Sequence, residues 1–269
     1  VILNTREVLT EGKTMVQMGF FVALQSFINT FVLYLIRIYI SNVGGMAEVG
    51  LYNSGFGMIE MSVGMVFAAM GAEYYPRLSS IANDENKFSE TVNQQMSVSL
   101  LLISPIVALF LLMGPLAILL LLSSYFLPIR LMIQILALSM FFKAPGWCLG
   151  CMFLAKADTK AFWLNEMMTN IVMLFVLLIL YKYFGLNGIA LGYFLVYIYY
   201  LVVTGIICNR RYNYHLDPTI FRKYIQQFVI CLAIFVCVTL IKGFLGYVLA
   251  SVLSLACIYV SYKELNKIF

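Results

Sequence analysis

Long apolar stretches, separated by short polar segments, are the feature that most limits how this chain can fold. A helix needs about 20 mainly apolar residues to cross a bilayer. Eight stretches reach about this length, at residues 15–40, 49–71, 97–122, 129–153, 163–183, 186–208, 224–242 and 244–262. The sequence therefore predicts an all-α, polytopic membrane helix bundle with about eight transmembrane helices.

The overall composition agrees with this fold class. The chain is 63% hydrophobic and 11% charged, whereas soluble domains have about 45–50% apolar and about 25% charged residues. The six cysteines lie in or beside apolar stretches without a zinc pattern or a disulfide framework, and we interpret them as buried small residues. Residues 1–14 lack the apolar core of a signal peptide and predict a cytoplasmic lead-in helix.

Lysine and arginine are distributed unevenly between the loops on the two sides of the predicted bundle. One side carries Arg6, Lys13, Arg77, Lys87, Lys156, Lys160, Arg210, Arg211, Arg222, Lys223, Lys263 and Lys267. The other side carries Arg130, Lys182 and Lys242. Because cytoplasmic loops are enriched in basic residues, this asymmetry predicts that both termini are cytoplasmic.

The second stretch combines regularly spaced glycines with a carboxylate, Glu60, near its middle. Gly50, Gly57, Gly64 and Gly71 recur every seven residues, close to two helical turns, so they lie along nearly one face. Such a face lets another helix approach closely or leaves room beside the helix. A charge at mid-bilayer costs at least about 2.5 kcal/mol, so we expect Glu60 to face a partner or a wet interior.

Two basic residues also fall within spans, Lys143 near the midplane and Arg37 near the outer end. Lys143 is too deep to reach the headgroups easily, so we expect either a mutual pair with Glu60 or a polar cavity around the two charges. The two charges then either only join two helices or line a hydrated pathway. Arg37 either extends to the headgroups or joins that pathway. Pro145 and Gly146 follow Lys143, and the proline predicts a kink, as occurs where transporter helices break around their cargo.

A run of tyrosines in the sixth stretch allows two interpretations. It comprises Tyr193, Tyr197, Tyr199 and Tyr200. Because a tyrosine offers both an apolar plate and a hydroxyl, the run forms either a sugar-binding face or a packing and interfacial surface. Glu166, near the start of the fifth stretch, we interpret as a solvated helix end, which leaves two basic residues and one acidic residue deep in the spans.

The sequence offers little for catalysis. Its single histidine, His215, lies in a basic loop, and no group of His, Cys, Asp and Glu has metal-ligand spacing. General acid–base and metal catalysis therefore lack their usual groups, and there is no Walker-type phosphate loop. We expect a protein that is not an enzyme, has no catalytic or metal site and binds no nucleic acid.

Several runs of the chain resemble a known family. They are Arg37-Ile38-Tyr39-Ile40-Ser41, Gly44-Gly45, VGLYNSGFGMIEM, GMVFAAMGAEYYPRLS and YFGLNGIALGYFLVYIYYLV. Together they resemble the O-antigen translocases, which are bacterial flippases of lipid-linked oligosaccharides in the multidrug/oligosaccharidyl-lipid/polysaccharide exporter superfamily. The resemblance spans most of the chain.

The resemblance implies a two-lobed bundle with more helices than the eight predicted here. Residues 15–208 would form a six-helix lobe like the second lobe of such a flippase. Residues 209–223 would form a basic cytoplasmic loop, and residues 224–269 two trailing helices and a cytoplasmic tail. The first lobe would lie outside this sequence.

The resemblance also implies a function, the flipping of an undecaprenyl-pyrophosphate-linked sugar unit across the bacterial inner membrane by alternating access. The expected partners are the bilayer, that lipid-linked glycan and a polysaccharide polymerase. Arg37 and Lys143 are the candidate cations for the pyrophosphate, and Arg77 is a candidate entrance group. Glu60 is a candidate counter-ion or a site of coupling to H⁺ or Na⁺, and no other cofactor is expected.

Two alternatives stay open. A cation-coupled multidrug exporter of the same superfamily would favour acidic cavity residues, whereas two basic residues against one acidic residue favour an anionic cargo. A non-transporting scaffold of a polysaccharide assembly complex predicts that Glu60 and Lys143 tolerate apolar replacements of similar size.

Overall fold

The computed structural model describes residues 5–241 and 243–267, and the side chains of residues 5–11 and 13–15 lie outside that description. The helices are α1 (Thr5–Gly44), α2 (Met46–Ser80), α3 (Glu85–Leu121), a short 3-10 helix (Ser124–Ile129), α4 (Arg130–Ala155), α5 (Thr159–Tyr212), α6 (Pro218–Leu240) and α7 (Phe244–Leu265). The described chain contains no strand. The predicted lead-in falls partly outside the described residues, and from Thr5 it is the first part of α1.

Seven helices of the described chain are long and apolar enough to cross a membrane, and α5 contains two of the predicted spans. At Gly185 its backbone leaves the helical region, with φ 57° and ψ −141°. Asn165 Nδ2 then donates to Thr204 Oγ1 at 3.0 Å, and Gly192 packs against Leu177. Residues 159–184 (α5a) and 186–212 (α5b) therefore form an antiparallel pair, and the all-α polytopic bundle is confirmed.

The connections at the two faces of the bundle differ. At one face, three connections turn at a glycine with positive φ, a conformation that glycine adopts without steric cost. These glycines are Gly45, Gly185 and Gly243. At the other face, helices α3, α5 and α6 each begin at an aspartate whose side chain accepts a backbone N–H. These aspartates are Asp84, Asp158 and Asp217.

The polar residues 85–95 are the first turns of α3 and not a separate surface helix. Asp84 caps a helix that runs without interruption from Glu85 to Leu121. Its first turns place Phe88, Val92 and Met96 in a buried cluster. These apolar residues recur every four positions, so they lie on one face of the helix, and that face is buried. Helix α3 is therefore longer than the apolar stretch from which it was predicted.

The larger set of basic residues lies at the aspartate-capped face. Arg211 pairs with Asp158 at 2.7 Å, and Lys223 pairs with Glu264 at 2.7 Å. Arg130 lies at the opposite face, as the first residue of α4. Lys242 and the side chains of Arg6 and Lys13 lie outside the described residues. The described members of the two basic sets lie at opposite faces, and the assignment of the first face to the cytoplasm stays a prediction.

Helices α3 and α4 form the centre of the bundle. In their most apolar windows 56% of residues are buried, compared with 11% in α1 and 22% in α2. Helix α1 packs on α5 and α2 packs on α4, whereas α6 and α7 pack on α3. Five of the six cysteines are buried, as predicted. This arrangement leaves α4 and α5 with two different sides, each facing its own cavity.

Candidate functional site

A cavity of about 340 Å³ lies between α1, α2, α4 and both halves of α5. We call it the polar cavity. Its polar wall residues are Gln25, Asn29, Glu60, Lys143, Glu166, Thr169 and Asn170, and its aromatic wall residues are Phe56, Trp147, Tyr193, Tyr197 and Tyr200. Ionisable groups among membrane-spanning helices usually face a wet cavity and mark a functional site.

The predicted ion pair forms in this wall. Lys143 of α4 donates to Glu60 of α2. Their side chains remain 24% and 32% exposed, so the pair is open to the cavity. The Lys143 ammonium also lies 5.8 Å from the ring centroid of Phe67 and 5.5 Å from that of Tyr197, within the range of cation–π attraction.

Glu166 belongs to the polar cavity, and its interpretation as a solvated helix end is wrong. It accepts hydrogen bonds from Gln25 Nε2 and from Tyr200 Oη, both at 2.9 Å. Helix α5 begins two turns earlier, so Glu166 lies well inside it. The available signal was the spacing of Gln25 with Asn29 and of Glu166 with Asn170, because polar residues four apart share one helix face.

Glu166 changes the charge balance of the deep residues. The deep charged residues are now two basic ones, Arg37 and Lys143, and two acidic ones, Glu60 and Glu166. The wall of the polar cavity carries two carboxylates and one ammonium. The predicted excess of basic residues is therefore wrong. The count of deep charges therefore no longer favours an anionic cargo over a cationic one.

Three of the four tyrosines in the predicted run face the cavity, namely Tyr193, Tyr197 and Tyr200. The Tyr193 hydroxyl hydrogen-bonds to that of Tyr52 at 3.0 Å. The Phe56 ring stacks on both tyrosines, with centroid distances of 5.7 Å to Tyr52 and 5.0 Å to Tyr193. The cavity thus has an aromatic wall with hydroxyls at its edges, which suits the apolar and polar faces of a sugar ring.

Tyr200 packs so closely against α4 that a side chain at either of two positions in that helix would require the tyrosine ring to move. A Cβ at Gly146 would lie 2.7 Å from Cδ1 of Tyr200, and one at Gly150 would lie 2.6 Å from its hydroxyl. Helix α4 continues through Pro145 from Arg130 to Ala155. Gly146 therefore has a packing role, and the kink at Pro145 stays a prediction.

The other two predicted pathway residues lie outside the cavity wall. Arg37 Nε donates to Asn53 Oδ1 at 2.9 Å, and Asn53 is about 10 Å along α2 from Glu60. Arg77 pairs with Glu73 at 3.6 Å and is about 25 Å along α2 from Glu60. These two cations therefore lie toward opposite ends of α2, and only Glu60 and Lys143 meet.

The glycine face of α2 is open along most of its length. No described residue lies within 4 Å of a Cβ built at Gly50, Gly57 or Gly64, whereas Trp147 lies 3.3 Å from one built at Gly71. The described helices do not cover this face, which borders the position of Glu60. Its role in helix packing or as a cavity face stays a prediction.

Comparison with known proteins finds one family. The profile of a family described as "Polysaccharide biosynthesis protein" matches residues 4–131, which cover α1 to α3 and the short 3-10 helix. The matched range includes Arg37 and Glu60 and ends before Lys143. No curated protein matches the chain. The chain is thus a multi-pass helical protein whose first half is similar to polysaccharide biosynthesis proteins, which supports involvement in polysaccharide synthesis or export.

Proposed function

We propose that this chain flips an undecaprenyl-pyrophosphate-linked oligosaccharide, a unit of O-antigen or of a related surface polysaccharide, across the bacterial inner membrane. The observation that carries the proposal is the polar cavity among apolar helices, with its ion pair, second carboxylate and three tyrosines. The match of residues 4–131 to polysaccharide biosynthesis proteins supports the polysaccharide part.

The cargo sets a specific physical problem. A charged pyrophosphate and a polar glycan must cross the hydrocarbon while the lipid tail stays in it. Lys143 supplies a cation for the pyrophosphate, and the tyrosine wall supplies plates and hydroxyls for the sugars. Alternating access then opens the cavity to one leaflet at a time.

Glu60 controls whether the Lys143 ammonium is free to bind the pyrophosphate. It holds Lys143 in the described state, so the pyrophosphate has to compete with a carboxylate. Protonation of Glu60, or a Na⁺ ion bound to it, would release Lys143 to the cargo. This exchange couples cargo binding to H⁺ or Na⁺.

The test replaces Lys143 by glutamine in the chromosomal gene of the native host. We expect surface polysaccharide to be lost and lipid-linked units to accumulate in the inner membrane, with both quantities normalised to the measured level of the protein. Lys87→Gln is the matched control, because that side chain is 71% exposed at the start of α3. Normal surface polysaccharide in Lys143→Gln cells would refute the proposal.

A cation-coupled multidrug exporter is the second candidate, because the cavity wall carries two carboxylates and one ammonium. It predicts that Glu166→Gln abolishes resistance to organic cations and leaves surface polysaccharide normal. The flippase proposal predicts unchanged drug resistance in the same cells. Growth in the presence of organic cations, measured beside surface polysaccharide, separates the two.

A further inference from the structure

A second cavity lies on the other side of α4 and α5b. It has a volume of about 670 Å³ and lies between α4, α5b, α6 and the connection at residues 213–217. Its long wall is apolar and includes Phe142, Leu201, Ile206, Ile225 and Phe228. We call it the apolar groove.

The apolar groove is open sideways, toward the lipid. Val202, Ile206 and Phe221 line it and remain 53%, 48% and 54% exposed. Gly205 leaves space in its wall, because a Cβ there would meet only Leu149, at 3.8 Å. Helix α6 packs on α3 and α7 and so stands away from α5b. An apolar chain can therefore enter laterally from the bilayer.

One end of the groove carries a positive charge. Arg210 lies there, in the last turn of α5. The neighbouring Arg211 pairs with Asp158, whereas Arg210 pairs with no acidic residue in the described chain. Its guanidinium is therefore available to an anion at the level of the headgroups.

The length of the groove corresponds to one leaflet. The helix between Leu201 and Arg210 rises about 13 Å, close to half of the hydrocarbon core of about 30 Å. The charged end lies at the face with the larger basic set. A ligand that matches both features has an acyl chain along the wall and a negative headgroup beside Arg210.

We propose that the apolar groove binds one anionic phospholipid of the cytoplasmic leaflet. Its acyl chain lies between α5b and α6, and its phosphate binds Arg210. The bound lipid fills the gap and holds α6 against the rest of the bundle. The polar cavity and the groove share no wall residue, so this site does not depend on the proposed flipping of a glycan.

The first experiment measures lipid binding by native mass spectrometry. The purified chain is delipidated in detergent and mixed with phosphatidylglycerol or phosphatidylethanolamine of identical acyl chains. We expect one phosphatidylglycerol to bind about fivefold more tightly, the factor that corresponds to about 1 kcal/mol for one basic residue near an anionic headgroup. Equal affinity for the two lipids would overturn the proposal.

Two variants locate the lipid. Arg210→Gln is expected to remove the preference for phosphatidylglycerol. Arg222→Gln is the matched control, because this exposed residue of α6 carries the same charge and lies outside the groove wall. The same loss of preference in both variants would mean that net charge alone recruits the lipid, and the site would be rejected.

A third variant fills the groove and keeps the charge. Val202→Trp has room to fold, because Val202 is half exposed. We expect this variant to bind no phosphatidylglycerol, although its melting temperature in lipid-free detergent equals that of the wild type. Retention of phosphatidylglycerol in this variant would contradict the proposal. Undecaprenyl phosphate is the competing probe, and its displacement of phosphatidylglycerol from the wild type at equal concentration would assign the groove to the cargo lipid instead.

Discussion

The polar cavity and the apolar groove are separated by the same two helices. Helix α4 presents Lys143 and Trp147 to the cavity and Phe142 to the groove, and α5b presents Tyr200 to the cavity and Leu201 to the groove. Neighbouring positions on a helix point about 100° apart, so adjacent residues can serve different compartments. Two helices thus separate a space for charged and sugar groups from a space for hydrocarbon.

The two sides also differ in how closely the helices approach. On the cavity side, Tyr200 lies directly over Gly146 and Gly150. On the groove side, Gly205 has open space around it. The close side supports the hydrogen bonds that hold Glu166, and the open side leaves room for a ligand.

The largest expected effect comes from removing a charge from the polar cavity. Lys143→Met leaves Glu60 without its partner and should lower the free energy of unfolding by about 3 kcal/mol. This is the lower end of the range for a buried pair, because the two side chains keep 24% and 32% exposure. Denaturant unfolding in lipid–detergent micelles measures the change. An unaltered stability would contradict a paired Glu60.

The double variant Lys143→Met with Glu60→Leu separates structure from transport. It should recover most of the lost stability, because no unpaired charge remains. The flippase proposal predicts that surface polysaccharide stays absent. A scaffold predicts that surface polysaccharide returns with stability, so a normal polysaccharide level in these cells would favour the scaffold.

The next effect tests the difference in helix approach. Gly146→Ala pushes the Tyr200 ring away and should destabilise the protein by about 2 kcal/mol through overpacking. Gly205→Ala is the matched variant in the groove wall, where the new methyl group has room. It should be neutral or stabilise α5b by up to about 1 kcal/mol, because alanine replaces a flexible glycine. Similar melting temperatures for the two variants would contradict the contrast between the two sides.

A smaller effect tests the hydrogen bonds of the polar cavity. Tyr200→Phe removes the donor to Glu166 and keeps the ring, so it should cost about 1 kcal/mol of stability. Tyr199→Phe is the control, because Tyr199 is outside the cavity wall. Thermal unfolding of the two variants gives the difference. If both lose the same stability, the bond from Tyr200 is not the cause.

The smallest effect lies outside both compartments, at the cap of α3. Asp84 accepts the backbone N–H of Lys87, and this bond holds the pKa of the carboxyl below its usual value of 3.8. A lowered folded pKa contributes stability above the unfolded pKa and loses it as pH falls through the folded pKa. We expect a slight extra destabilisation of the wild type below about pH 4, relative to Asp84→Asn. Melting temperatures of the wild type and of Asp84→Asn, measured between about pH 3 and 6, test this expectation. If the two proteins show the same dependence on pH, the Asp84 carboxylate does not stabilise the start of α3.

Properties that belong to single segments were predictable from the amino-acid pattern. Each span follows from its own apolar length, because backbone polar groups in lipid must be satisfied within the helix. The reversal near Gly185 and the cap at Asp84 follow from the backbone preferences of single residues. The similar depths of Glu60 and Lys143 follow from their positions along their own spans, and a pair was one of the two expected outcomes because an isolated charge in hydrocarbon is costly.

Properties that depend on the rotation of one helix against another were decided by the tertiary structure. The inclusion of Glu166 in the polar cavity requires Gln25 of α1 and Tyr200 of α5b to face it. The open glycine face of α2 and the separation of Arg37 from Lys143 also depend on which helices are neighbours. The depth of a residue in the membrane follows from its position along its own helix. The direction in which its side chain points is set by the packing of side chains from several helices at once.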